Sequence, residues 1–155
     1  MAKVYLFDWG DTLMVDFPQY QGKMCDWPEV KAVPGAREAL HRLSAKYPIY
    51  VATNADDSSV DDIKQAFIRA GLAKFISGYF CKVNMGIAKG TPDYFQRIVL
   101  ALDVEPFEIT MVGDTLEKDI QPAMAAGLQA IWYQPDFTLK GERQYQQIRH
   151  LEELV

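Results

Sequence analysis

Five short apolar, β-rich runs alternate with stretches of helical periodicity. That alternation constrains the fold more than any other feature of this chain. The runs are KVYLFD (Lys3 to Asp8), IYVAT (Ile49 to Thr53), the weaker GYFC (Gly78 to Cys81), ITMVG (Ile109 to Gly113) and LQAIWY (Leu128 to Tyr133). Each is near-continuously apolar, the pattern of strands covered on both faces. Between them, Ala36, Ala39, Leu40, Leu43 and Tyr47 recur at helical spacing behind Pro34. Ile63, Ala66, Phe67 and Ala70 form a second stripe, stopped by Gly71. Thr91-Pro92 reads as an N-cap and first helical residue ahead of Phe95, Ile98, Val99 and Leu102. Ile120, Ala123 and Met124 predict a fourth helix ending at Gly127, and Tyr145, Ile148, Leu151 and Val155 predict a C-terminal helix. Strand–helix alternation demands a parallel sheet with right-handed crossovers. The expected fold is α/β: a doubly wound, five-stranded parallel sheet with helices on both faces. At 155 residues the chain reads as a single domain, 1–155.

Composition removes several function classes. Sixteen Lys and Arg against 21 Asp and Glu give a net charge of −5, which offers no electrostatic reason to bind nucleic acid. Two cysteines, Cys25 and Cys81, cannot build a disulfide framework, and there is no CxxC pair for a structural zinc. No apolar run approaches the roughly 20 residues a membrane helix needs. The N-terminus has no secretory pattern, because Asp8 interrupts the apolar stretch. The expected location is the cytoplasm.

Doubly wound sheets bind ligands beyond the carboxyl ends of their strands, where strand order reverses. There the first run delivers Asp8-Trp9-Gly10-Asp11-Thr12-Leu13, the second Thr53-Asn54, and the fourth Gly113-Asp114, with Asp119 five residues on. Lys89 precedes the third helix in KGTPDYF. Singly, each has an ordinary explanation: a carboxylate after a strand caps a turn, and a lysine before a helix is solvated. Together they put carboxylates on neighbouring strand ends, a repulsion that calls for a cation. Oxygen-rich sites of this type suit Mg²⁺. Carboxylates, a divalent cation, a lysine and a hydroxyl donor are the parts that phosphoryl transfer requires.

The ordered set DWGDTL, VATN, KGTPDYF and GDTLEKD resembles the four motifs of the haloacid dehalogenase superfamily. The phrase VPGAREAL before the second run and Ala126-Gly127 after the fourth motif are similar to that family too, so the resemblance spans Lys3 to about Tyr133. It implies that Asp8 is a nucleophile forming an aspartyl-phosphate. It implies Mg²⁺ held by Asp8, the Gly10 carbonyl and Asp114, with Asp119 ligating through water or bracing Lys89. Backbone N–H groups near Trp9 and Gly10 would face phosphate oxygens. Thr53 would bond a phosphate oxygen, Lys89 would neutralise charge, and Asn54 would contact phosphate or substrate.

Three departures stand out. Most phosphatases of the family carry, two residues after the nucleophile, an Asp that protonates the leaving group and then activates water. Here that position is Gly10, and Asp11 follows it. Asp11 either takes over the acid/base role through a shifted loop or caps the local turn. Asp11 also stands where the family usually has a turn glycine, and Lys89-Gly90 replaces Lys-Pro. His41 and His150 fall on predicted helices away from the strand ends and receive no role.

Family caps insert after motif one or between motifs two and three. Only 20 residues separate Leu13 from Pro34, and 34 separate Asn54 from Lys89. The first gap fits a small β-hairpin flap at about 14–30, and the second fits one helix and a strand. The chain therefore reads as a capless member. Its expected partner is a phosphorylated substrate, small or macromolecular, with an open site or a lid borrowed from a second copy in a homo-oligomer. The main functional expectation is a Mg²⁺-dependent phosphate monoester hydrolase. The alternative is a non-catalytic or weakly active fold that binds a phosphate compound or a protein partner.

Overall fold

A computed structural model describes residues 3–54, 58–135 and 145–154. Six parallel strands form one sheet: β1 (Val4–Phe7), β2 (Ile49–Ala52), β3 (Gly78–Phe80), β4 (Ile109–Gly113), β5 (Gln129–Tyr133) and β6 (Gln146–Ile148). Their order is β3-β2-β1-β4-β5-β6. The chain winds outward from β1 to β3 and then returns to lay β4 against the other side of β1. The register sets Phe7 opposite both Val51 and Val112, so β1, β2 and β4 end at nearly the same level.

Side chains alternate across β1, as the strand period requires. Phe7 faces one core with α1 (Ala36–Ser44) and α2 (Val60–Arg69), through Leu40, Leu43, Ile63 and Phe67. A short α3 (Lys82–Met85) follows β3. Val4 and Leu6 face the other core, with α4 (Pro92–Leu102) and α5 (Gln121–Ala125), through Tyr94, Phe95, Ile98 and Ala123. Helices therefore cover both faces, as the alternation implied. Ser59 caps α2 with a reciprocal bond to Asp62, and Pro92 opens α4.

The structure corrects the sequence reading in three places. The sheet has six strands rather than five. The sixth comes from the segment expected to be a C-terminal helix: Gln146–Ile148 pairs with β5, and a 3₁₀ turn over Leu151–Leu154 follows (Val155 lies outside the described residues). Ile148 and Leu151 are buried as the spacing suggested, but strand pairing that covers the β5 edge overrides the helical period. The segment at about 14–30, expected to form a small β-hairpin, has no strands of its own among the described residues. One antiparallel bridge, Met14 to Ala32, closes it, and a 3₁₀ turn over Met24–Asp26 packs it on the core.

Candidate active site

The site forms where β1 and β4 lie side by side and the winding reverses. Asp8 is the first residue past β1, and its backbone N–H donates to Val112 O at 2.9 Å, continuing the ladder. Thr53 is the first residue past β2 and donates its N–H to Phe80 O. Asp114 is the first past β4, and the Trp132 indole N–H bonds its carbonyl at 3.1 Å. A π-helical turn over Leu116–Ile120 then swings Asp119 back beneath the strand end. Wider turns of this type recur at functional sites. The return is so close that a Cβ on Gly113 would stand 2.6 Å from both Cβ and Cγ of Asp119. Only glycine fits there.

Lys89 Nζ enters from the loop before α4 and donates to Asp8 Oδ1 at 2.6 Å and Asp119 Oδ1 at 2.7 Å. Its side chain is 4% exposed. The second Asp119 oxygen accepts the Thr115 N–H at 3.2 Å. Thr12 Oγ1 donates to Asp8 Oδ2 at 3.2 Å and lies 3.4 Å from Asp114 Oδ1. One oxygen from each of Asp8, Asp114 and Asp119 lies within 4.8 Å of the others. That all-oxygen donor set fits a hard divalent cation.

The electrostatics follow from this crowding. Burial pushes the Asp114 carboxyl up to about 8, with Asp8 and then Asp119 adding to the rise. Burial and Asp8 raise Asp119 to about 6, with Lys89 pulling the other way. Burial alone would lower the Lys89 ammonium, but Asp8 and Asp119 outweigh it and its pKa is raised. With no cation, Asp114 keeps its proton to higher pH than an ordinary carboxyl, and a divalent ion would compete with that proton.

The loop after Asp8 is shaped by local bonds. The Trp9 side chain packs toward the core, its indole N–H bonding Met14 Sδ at 3.2 Å and its ring against Phe67. Asp11 adopts φ 60°, the left-handed conformation that usually selects glycine. Its Oδ1 accepts the Asp16 N–H at 3.0 Å. Asp16 is solvent-facing, yet partial desolvation, then Asp11 and Asp8, raise its carboxyl. The Asn54 amide is bonded both ways to the Lys89 backbone, accepting from its N–H and donating to its carbonyl. It therefore braces the lysine loop.

All nine residues named from the sequence, Asp8, Trp9, Gly10, Asp11, Thr53, Asn54, Lys89, Asp114 and Asp119, line one pocket of about 430 Å³. Met24 and Trp27 from the 14–30 loop reach its wall. The sequence reading missed Thr12, whose hydroxyl bridges Asp8 and Asp114, Thr115, whose N–H holds Asp119, and Asp16. The first two stood inside the motifs as unremarkable threonines. Asp16 gave no signal, since a carboxylate in a polar loop is ordinary. His150 also needs correction. It follows β6 rather than sitting on a helix and, with Arg149, lines an adjoining cavity of about 720 Å³ that shares Asp11 and Asp114. No helix among the described residues is long and apolar enough to cross a membrane.

The chain is 31% identical over 110 residues to a phosphoserine phosphatase of Thermus thermophilus, covering 61% of this chain and 44% of that protein. It is likewise 31% identical over 104 residues to a glyceraldehyde 3-phosphate phosphatase of Pyrococcus furiosus, covering 67% and 42%. It thus spans less than half the length of these curated relatives. Among solved structures, an uncharacterized protein from Listeria monocytogenes serotype 4b superposes with a TM-score of 0.83 at 25% identity, covering 98% and 94% of the two chains. A magnesium-bound crystal structure of the putative HAD-hydrolase YfnB from Bacillus subtilis superposes with a TM-score of 0.78 at 17% identity, covering 99% and 96%. The family model for haloacid dehalogenase-like hydrolases matches residues 2–127. The chain belongs to the haloacid dehalogenase-like hydrolase family.

Proposed function

We propose that the chain is a Mg²⁺-dependent phosphate monoester hydrolase that works through an aspartyl-phosphate on Asp8. The observation that carries this reading is the convergence, at one strand-order reversal, of Asp8, Lys89 and two further carboxylates around a pocket open to solvent. Names of relatives support a phosphorylated small molecule: phosphoserine, glyceraldehyde 3-phosphate and, in a third case, ribulose-1,5-bisphosphate. A pocket of about 430 Å³ suits substrates of that size.

Asp8 Oδ attacks phosphorus, and Thr12 and Lys89 fix the carboxylate for that attack through the bonds at 3.2 and 2.6 Å. Lys89 carries its charge into the phosphate site, and Thr53 donates to a phosphate oxygen. Asp8, the Gly10 carbonyl and Asp114 are the groups that would hold Mg²⁺. Asp119 is held by Lys89 and by the Thr115 N–H, which supports a bracing role beside its place in the carboxylate cluster. Bound there, the ion supplies charge stabilisation for the phosphoryl oxygens and offsets the mutual repulsion of the carboxylates. Asn54 is best read as positioning Lys89 rather than meeting substrate.

We read residues 14–30 as a flap on an otherwise capless domain. Phe17, Tyr20 and Trp27 pack together with ring centroids 5.5 to 6.5 Å apart, which supports a flap held by its own aromatic cluster. A second reading, phosphate binding without turnover, rests on Gly10, which brings no acid to the leaving group. Hydrolysis of p-nitrophenyl phosphate with Mg²⁺ and with chelator, beside an Asp8→Asn control, separates the two. Turnover should vanish with chelator and in the variant. Turnover that survives both refutes the proposal.

A further inference from the structure

Hydrolysis of an alkyl phosphate needs a proton for the leaving oxygen and a base for the water that follows. Most carboxylates in the pocket are committed elsewhere. Asp8 and Asp119 are tied to Lys89, and Asp114 sits in the cation cluster. Asp11, the residue nearest in sequence to the expected acid position, faces its own loop, where Oδ1 accepts the Asp16 N–H.

Asp16 is different. Its Cβ and Oδ2 stand 3.5 Å, and its Cγ 3.7 Å, from where a Cβ on Gly10 would project. Its carboxylate therefore lies in van der Waals reach of where a side chain at position 10 would begin, on the same pocket wall as Asp8. Among the described residues that carboxylate has no hydrogen-bond or ion-pair partner, and its exposure leaves it open to substrate and water. The loop is built to hold it there. Asp11 takes a left-handed turn, its N–H bonds Met14 O at 2.7 Å, and its carboxylate pins the Asp16 backbone.

Resting on the phosphatase reading, we infer that Asp16 is the general acid and base of this site. Gly10, with no side chain of its own, lies beside it, and Asp11 serves as its positioning residue. As Asp8 Oδ bonds to phosphorus, the P–O bond to the leaving group breaks. Its electron pair stays on that oxygen, which takes the Asp16 proton. The Asp16 carboxylate then takes a proton from water as the water oxygen bonds to phosphorus and the bond from phosphorus to Asp8 breaks. Alcohol and phosphate leave, Asp8 is again a carboxylate, and Asp16 is again an acid.

The test uses Asp16→Ala, Asp16→Asn and the double variant Gly10→Asp with Asp16→Ala. Substrates are glycerol phosphate and dinitrophenyl phosphate, both with Mg²⁺. The single variants should lose about 10²–10⁴-fold in glycerol phosphate turnover. With dinitrophenyl phosphate, whose leaving group needs no proton, they should still phosphorylate Asp8. The phosphoenzyme should then accumulate as a burst, because the water step lacks its base. That burst also shows that the variants fold. The double variant should recover steady turnover, since the carboxylate introduced by Gly10→Asp would enter the space that Asp16 vacates. Asp16 variants that hydrolyse glycerol phosphate at the wild-type rate, beside a wild type that does form the Asp8 phosphoenzyme, overturn this assignment alone. A wild type that forms no phosphoenzyme overturns the phosphatase reading and this inference with it.

Discussion

Replacing Lys89 with Met removes the one ammonium within salt-bridge distance of both Asp8 and Asp119 among the described residues. At an effective dielectric near 20, each contact near 2.7 Å corresponds to about 6 kcal/mol of gross attraction, most of it offset by the cost of desolvating the ions. What the variant leaves is two buried carboxylates with Asp114 beside them, all within 4.8 Å. Breaking a buried pair from one side costs about 3–5 kcal/mol. For a domain of this size that corresponds to about 6–20 °C in Tm. The pH dependence has a definite sign. Without the lysine, Asp119 loses the charge that holds its carboxyl down, and Asp119 and Asp114 take up protons more readily in the folded state than in the unfolded chain. Their penalty is therefore full at high pH and fades as pH falls and they protonate. Thermal unfolding in chelator at about pH 8 and about pH 5.5 reads both effects, with the larger loss expected at the higher pH. Asp119→Asn in the Lys89→Met background should restore part of the loss. A variant that melts within about 2 °C of wild type at about pH 8 refutes the reasoning, as does an equal loss at both pH values.

Two further outcomes follow from the same geometry. Gly113→Ala forces a methyl against Asp119 and should cost about 1–3 kcal/mol, seen as a lower Tm; its Mg²⁺ titration should also weaken. In the metal-free protein Asp114 holds a proton up to about 8 that the unfolded chain releases near about pH 4. Metal-free stability should therefore fall as pH rises across that window, and the increment from added Mg²⁺ should grow; calorimetric scans with and without the ion check both trends.

The strands that build the site were legible because burial on both faces leaves near-continuous apolar runs, as in ITMVG and IYVAT. The carboxylates were legible because Asp8 and Asp114 follow such runs directly, with Asp119 one short turn further on. β6 was not. Gln146–Ile148 is short and polar, and its spacing to Leu151 matches a helix as well as it matches a strand followed by a 3₁₀ turn; pairing with β5 decided it. Asp11 was readable as a departure from glycine, and its φ of 60° lies in the left-handed region that glycine usually serves. Asp16 could not be read from spacing, because its approach to Gly10 exists only once the loop has closed. The bond from Asn54 to the Lys89 loop crosses 35 residues of sequence and was invisible for the same reason.

The central claim is that phosphate passes through Asp8. Rapid acid quench during turnover of dinitrophenyl phosphate with Mg²⁺, followed by proteolysis and mass spectrometry, tests it most directly. One phosphoryl group is expected on the peptide carrying Asp8, labile to hydroxylamine and absent from Asp8→Asn. A phosphoryl group on a different residue, or phosphate release by Asp8→Asn at the wild-type rate, would contradict it.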